Sequence, residues 1–141
     1  MRKIIVGVVL GVIISVLGLS LINWYKNSTS LNTRITQSDK VFMTIGGTRK
    51  EITDKRHIEE LKEIFGSLEP KHLSFGMVPS CPFSENDTVE FYNSNNGKSI
   101  VVCPAFDGCA IYQLNGKYYK TTRILKDDFE EIALEYGAVF V

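Results

Sequence analysis

The sequence predicts an α+β fold: a small antiparallel-sheet domain with two helices packed on one face, preceded by an N-terminal transmembrane helix. Three observations predict it. Residues 4–22 carry no charged side chain. Two later segments, around Leu61 and around Ile132, repeat apolar residues at helical spacing. Gly-Gly or Asn-Gly pairs at 46–47, 96–97 and 115–116 separate segments that alternate apolar and polar residues.

The apolar run is bounded by Ile4 and Ile22. Its 19 residues would extend roughly 28 Å as a helix, close to the thickness of a hydrocarbon core. Trp24 and Tyr25 follow at the level of an aromatic belt. Arg2 and Lys3 precede the run, and positive charge favours the cytoplasmic side. The expected arrangement is a single-pass protein of the cell membrane, with its N-terminal end cytoplasmic and its C-terminal domain extracytoplasmic. The alternative is a cleaved signal peptide and a secreted small domain. Gly18-Leu19-Ser20 offers the small residues for cleavage, but the run exceeds the usual apolar length of about 7–15 residues. Gly7, Gly11 and Ser15 share one helical face, which would allow a weak homodimer in lipid.

Residues 26–38 are rich in Asn, Ser and Thr, with Leu31 and Ile35 as the large apolar side chains. Such a segment buries too little to fold alone and is expected to be a polar linker. The chain thereby divides into an anchor (1–25), a linker (26–38) and one domain (39–141).

Within the domain, Val41, Met43 and Ile45 alternate, and Gly46-Gly47 returns the chain through Thr48 to Ile52. Ile58, Leu61, Ile64, Phe65 and Leu68 predict a helix, with Thr53 or Asp54 as cap and Gly66 as a left-handed stop. Leu73, Phe75 and Met77 alternate again. Val89 and Phe91 pair with Ile100 and Val102 across Asn96-Gly97, and Tyr112 faces Tyr119 across Asn115-Gly116. The helices are expected on the face of Phe91 and Val102, leaving Glu90, Tyr92 and Val101 on the other. Asp127 and Glu130 form a capping-box pattern before Phe129, Ile132, Ala133 and Tyr136, and Gly137 ends that helix. The tail from Ala138 is apolar enough to dock as a strand.

An extracytoplasmic domain of this size favours a disulfide. If Asn96-Gly97 is a two-residue turn, Cys103 faces Glu90 and lies roughly 30 Å along the strand from Cys81. Position 81 then extrapolates to Tyr112, near Cys109, so Cys81–Cys109 is the preferred bridge. Cys103–Cys109 stays open if residues 104–108 form a tight loop. With no CxxC motif, the bridge reads as structural and the remaining thiol as a small buried hydrophobe.

Residues 39–141 hold all 16 carboxylates against 12 Lys and Arg, which argues against a nucleic-acid partner. GxSxG, HExxH, SxxK and phosphate-loop motifs are absent from the sequence. No catalytic residue, metal ligand or cofactor is assigned. His57 reads as a solvated residue of a first helical turn and His72 as loop. The acidic runs around Glu59 to Glu63 and Asp127 to Glu131 read as solvated helix faces. Asn27-Ser28-Thr29 and Asn86-Asp87-Thr88 match the glycosylation pattern.

Tyr92, Tyr112, Tyr118 and Tyr119 suggest an amphipathic contact surface on the sheet. The plan resembles that of small, anchored, extracytoplasmic α+β proteins of bacteria, and no motif points to one family. The expected function is non-catalytic binding of a protein or peptide outside the membrane. The alternative is an inhibitor or immunity-type module that blocks an exported enzyme through the sheet face or the loop 79–87. An enzyme would require a pocket in which His57 or His72 meets two carboxylates.

Overall fold

The computed structural model describes residues 2–73, 79–107 and 109–140; within the first helix, the side chains of residues 2–8, 10 and 23–30 lie outside the description. The elements are α1 (Arg2–Thr36), β1 (Lys40–Ile45), β2 (Thr48–Ile52), α2 (Lys55–Gly66), β3 (Glu69–Pro70), β4 (Thr88–Asn93), β5 (Lys98–Pro104), β6 (Ile111–Leu114), β7 (Lys117–Lys120) and α3 (Arg123–Glu135). The strands form one antiparallel sheet in the order β2-β1-β4-β5-β6-β7-β3.

Strand alternation puts Val41, Met43, Val89, Phe91, Ile100, Val102 and Tyr112 on one buried face. α2 lays Leu61, Ile64 and Phe65 against it, and α3 adds Phe129, Ile132 and Ala133. Phe65 is the centre of this core. Its ring lies 5.4 Å from Phe91, 5.3 Å from Tyr112 and 5.3 Å from Phe129, tilted or edge-on as ring quadrupoles favour. Val101, on the opposite face, is 40 % exposed.

Two hairpins have the expected register. Ile45 pairs with Thr48 across Gly46-Gly47, and Leu114 with Lys117 across Asn115-Gly116. All four turn residues have positive φ, the backbone that a two-residue hairpin turn demands. The middle hairpin differs: Asn93 pairs with Lys98, so the loop holds four residues, 94–97. Asp39 accepts hydrogen bonds from the Ser94 amide at 2.7 Å and from the Ser94 hydroxyl. The Asn93 and Asn96 side chains accept from the Asn95 and Lys98 amides. These polar contacts hold the wider loop and move the register by two. Because side chains alternate with period two, Phe91 and Val102 keep the core face. Glu90 consequently pairs with Val101 rather than with Cys103.

The helix ends also depart from expectation. Asp54 caps α2, accepting from the Arg56 amide at 2.8 Å. Gly66 is not a left-handed stop; it stays within α2, and Ser67 is the C-cap at φ −93°. What Gly66 supplies is space, since a Cβ there would stand 3.2 Å from Asn32 Nδ2. α3 starts before the Asp127–Glu130 pattern, with Thr122 Oγ1 accepting from the Leu125 amide. Both acids of that pattern instead pair with Lys126, at 3.7 and 2.6 Å. Gly137 ends the helix at φ 101°. Residues 138–140 form no strand: Ala138 is buried and the Phe140 ring meets Phe106 edge-on at 5.1 Å.

The segment expected to be a linker continues α1 as far as Thr36. Ile35 is fully buried, Leu31 packs against the core, and Asn32 Nδ2 donates to the Gly66 carbonyl oxygen at 2.8 Å. Two apolar residues one turn apart suffice, because α2 and the sheet provide the surface that the segment lacks alone. Among the described residues no helix is long and apolar enough to cross a membrane. The described side chains of the apolar run are those of Val9 and residues 11–22. Those of Ile4, Gly7, Trp24 and Tyr25 lie outside the description, as do residues 74–78, where a strand through Phe75 and Met77 was expected.

Candidate functional site

The four tyrosines do not form one surface. Tyr112 is 1 % exposed and faces Tyr119 on the core side of the sheet, so it is not part of any contact surface. Tyr119 packs against the same core. Tyr118 points to the other face, its ring 5.7 Å from Phe83. Tyr92 lies three strands away on β4, roughly 14 Å distant at the usual strand spacing. The alternation that pairs Tyr112 with Tyr119 also buries them, because the even-numbered position of β6 faces inward.

The sheet edges offer no template for an added strand. β2 presents exposed Arg49, Lys50 and Glu51, and β3 is two residues long and contains Pro70. On the outer face the Arg49 guanidinium covers the Phe42 ring at 3.5 Å and pairs with Glu90 at 2.8 Å.

Cys81 and Cys109 form the disulfide, with Cα atoms 6.4 Å apart. Asp107 accepts from the Cys109 amide at 3.0 Å and so shapes the loop that carries it. Cys103 is the free thiol, half-buried on β5 opposite Gln113. Burial, and secondarily Glu85, pushes this thiol above the ordinary range, which disfavours the reactive thiolate.

A cleft of about 330 Å³ lies between α2 and α3. Five carboxylates line it: Glu60 and Glu63 from α2, and Asp128, Glu131 and Glu135 from α3. Arg56 is the lone guanidinium there, and Ile64, Leu125 and Ile132 contribute its apolar part. The acidic helix faces, expected to be separate solvated surfaces, therefore border one space. Helix packing causes this. Both helices bury one stripe on the sheet, and the flanks of the two stripes face each other across the groove between them. Glu59, Asp127 and Glu130 lie off this groove and pair with Lys62 or Lys126.

His57 also lines the cleft and is only 3 % exposed, contrary to the solvated position expected. Its spacing carries the signal: positions 57, 61, 64, 65 and 68 make one helical stripe, so His57 extends the apolar face. The ring lies edge-on to Tyr136 at 5.8 Å. Nδ1 stands 3.2 Å from the Tyr136 hydroxyl and Nε2 stands 3.2 Å from Arg56 Nη2. Glu135 Oε2 is 3.6 Å from the same Nε2. Burial, with Asp54 and Glu135, raises the Tyr136 phenol above its ordinary value. The Arg56 amide that Asp54 accepts holds that carboxyl below its usual range.

His72 is exposed and far from this arrangement in sequence. Among the described residues, the one trio of metal-ligating atoms within 4.8 Å of each other is Cys81, Asp107 and Cys109, two of which are in the disulfide. The cleft acids form no such trio among the described residues.

No family model, curated protein or solved structure matches this chain.

Proposed function

We propose that this chain is a membrane-anchored, extracytoplasmic, non-catalytic domain that binds a protein or peptide, and that the α2–α3 cleft receives a basic segment of that partner. The observation that carries the reading is the gathering of five carboxylates and one guanidinium around a single 330 Å³ cleft. Carboxylates arrayed along two helices complement Lys and Arg side chains of an extended segment and steer its approach. Apolar Ile64, Leu125 and Ile132 would take the aliphatic stems of those side chains.

The anchor rests on the uncharged residues 4–22, preceded by Arg2 and Lys3. The export of the domain is supported by its disulfide, since such bonds persist in oxidising compartments. The non-catalytic reading is supported by the sequence, which carries no GxSxG, HExxH, SxxK or phosphate-loop motif, although the cleft does bring His57 together with carboxylates.

Calorimetry with a lysine- and arginine-rich peptide, on the full chain in detergent micelles, tests the binding role. Micromolar or tighter binding is expected, weakened at least tenfold in an Asp128→Asn, Glu131→Gln double variant and by added salt. Equal affinity for an acidic peptide of the same length would overturn it. Carbonate extraction of membranes and protease added to intact cells test the placement. Release of the chain by carbonate, or a C-terminal tag shielded from the protease, would remove the anchor or the export respectively.

A further inference from the structure

We infer that His57 is a two-position proton switch at the floor of the α2–α3 cleft, which exchanges Arg56 for Glu135 as the partner of Nε2 when it gains a proton and thereby weakens the hold of the cleft on a cationic ligand.

The argument starts from a donor that cannot accept. A guanidinium has only N–H groups, so Arg56 Nη2 at 3.2 Å from Nε2 must be the donor and Nε2 the acceptor. The neutral ring then carries its proton on Nδ1, where it donates to the Tyr136 hydroxyl at 3.2 Å. This sets the tautomer of the buried ring.

A second proton has one place to go, Nε2. The imidazolium N–H and the guanidinium of Arg56 then cannot share that position, because both are donors and both are cationic. The carboxylate within reach of the new N–H is Glu135, whose Oε2 lies 3.6 Å from Nε2. The displaced Arg56 side chain is largely exposed, and Glu60 Oε1, one helical turn on at 3.9 Å, receives it.

The other charged groups around the ring come from the start of α2, from α3 and from β2. Asp54, the cap of α2, lies near both His57 and Tyr136. On the α3 side stand Glu135 and Tyr136, and from β2 Lys50 Nζ donates to the Tyr136 carbonyl oxygen at 3.3 Å. Among these, Glu135 is the group that changes allegiance. Its carboxylate already lies 3.6 Å from Nε2, so with the added proton the cleft gains one positive charge and one of its five carboxylates becomes paired with it.

As regulation of ligand binding, this inference rests on the role proposed above; as a change of hydrogen-bond partners within the fold it stands alone, and the experiment separates the two. Long-range ¹H–¹⁵N correlation spectra of the His57 ring in the micelle-bound full chain are recorded from pH 8 to pH 5.5. At pH 8 the ring is expected as the Nδ1–H tautomer. Acidification should protonate Nε2 and move the backbone amides of Glu135 and Tyr136 together with the ring signals. In Glu135→Gln and His57→Gln those α3 changes should disappear. The Nε2–H tautomer at pH 8, or α3 changes that persist in His57→Gln, would overturn the switch. Binding of the basic peptide should weaken by at least about threefold between pH 8 and pH 5.5, the effect of one added charge at close range, and stay constant in His57→Gln. A pH-independent affinity in the unaltered chain counts against the regulatory role. Failure of the peptide to bind at either pH, with the ring behaviour intact, removes the binding role and leaves the switch.

Discussion

The Asn32 side chain and the Gly66 backbone form the joint between α1 and the domain. Asn32 Nδ2 donates to the Gly66 carbonyl oxygen at 2.8 Å, and the approach is that close because Gly66 has no Cβ to meet it. The bond satisfies a carbonyl of the last turn of α2, a group that helices leave unpaired.

Asn32→Ala should lower stability by about 0.5–1 kcal/mol, the range for one exposed hydrogen bond. Gly66→Val should cost more, because a branched Cβ drives α1 outward and uncovers Ile35. Denaturant titration measures both, and proteolysis near residues 30–36 should accelerate in the valine variant.

Tyr112→Phe should be stabilising. The Tyr112 hydroxyl is buried and has no hydrogen-bond partner among the described residues, and an unmet buried group costs on the order of 1–3 kcal/mol. Removal of the oxygen keeps the ring contacts with Phe65 and Phe129. A higher denaturant midpoint with unchanged slope is expected; a drop of 1 kcal/mol or more would show that the hydroxyl is paired after all.

Alkaline stability should depend on the same group. Burial, and secondarily Glu130, raises the Tyr112 phenol far above its ordinary value, so the folded state holds its proton longer than the unfolded chain does. The contribution is fully present below the unfolded value of about 10 and is lost as pH rises beyond it. Tyr136, raised mainly by burial, acts in the same direction. Midpoints measured from pH 8 to 11.5 should fall in the unaltered protein and fall less steeply in Tyr112→Phe.

Loss of the Cys81–Cys109 bond should cost about 3–4 kcal/mol, the chain-entropy value for a closed loop of this separation. A Cys81→Ser, Cys109→Ser variant measures it without reductant. Thiol titration of the denatured, unreduced chain should find Cys103 alone reactive.

Arg49→Ala should cost about 0.5–1.5 kcal/mol, combining a partly exposed ion pair with loss of the Phe42 stacking. A double-mutant cycle with Glu90→Gln should give a coupling that shrinks in high salt, while the Phe42 part remains. A salt-independent coupling would mean the pair acts by packing.

The local elements were legible where one residue type demands one backbone. Gly46-Gly47 and Asn115-Gly116 announce their turns because each needs positive φ at two positions. Asn96-Gly97 carries the same dipeptide and misleads, because Asp39, distant in sequence, fastens Ser94 and widens the loop. The bridge between Cys81 and Cys109 was identified correctly from a register that was itself off by two. Proximity of cysteines within a small domain tolerates such a shift, whereas the partner of Glu90 does not.

Periodicity in this chain determined the antiparallel sheet and the two core helices, because each follows from spacing along a single segment; His57, read as solvated, was missed although it falls on the same stripe. The tertiary structure decided what those segments meet. Only packing shows that Ile35 belongs to the core, that Tyr112 is interior, and that acids on two helices border the same cleft around a buried imidazole. Those relations join residues far apart in the chain, and a one-dimensional pattern specifies which face an element buries without specifying which neighbour it buries it against.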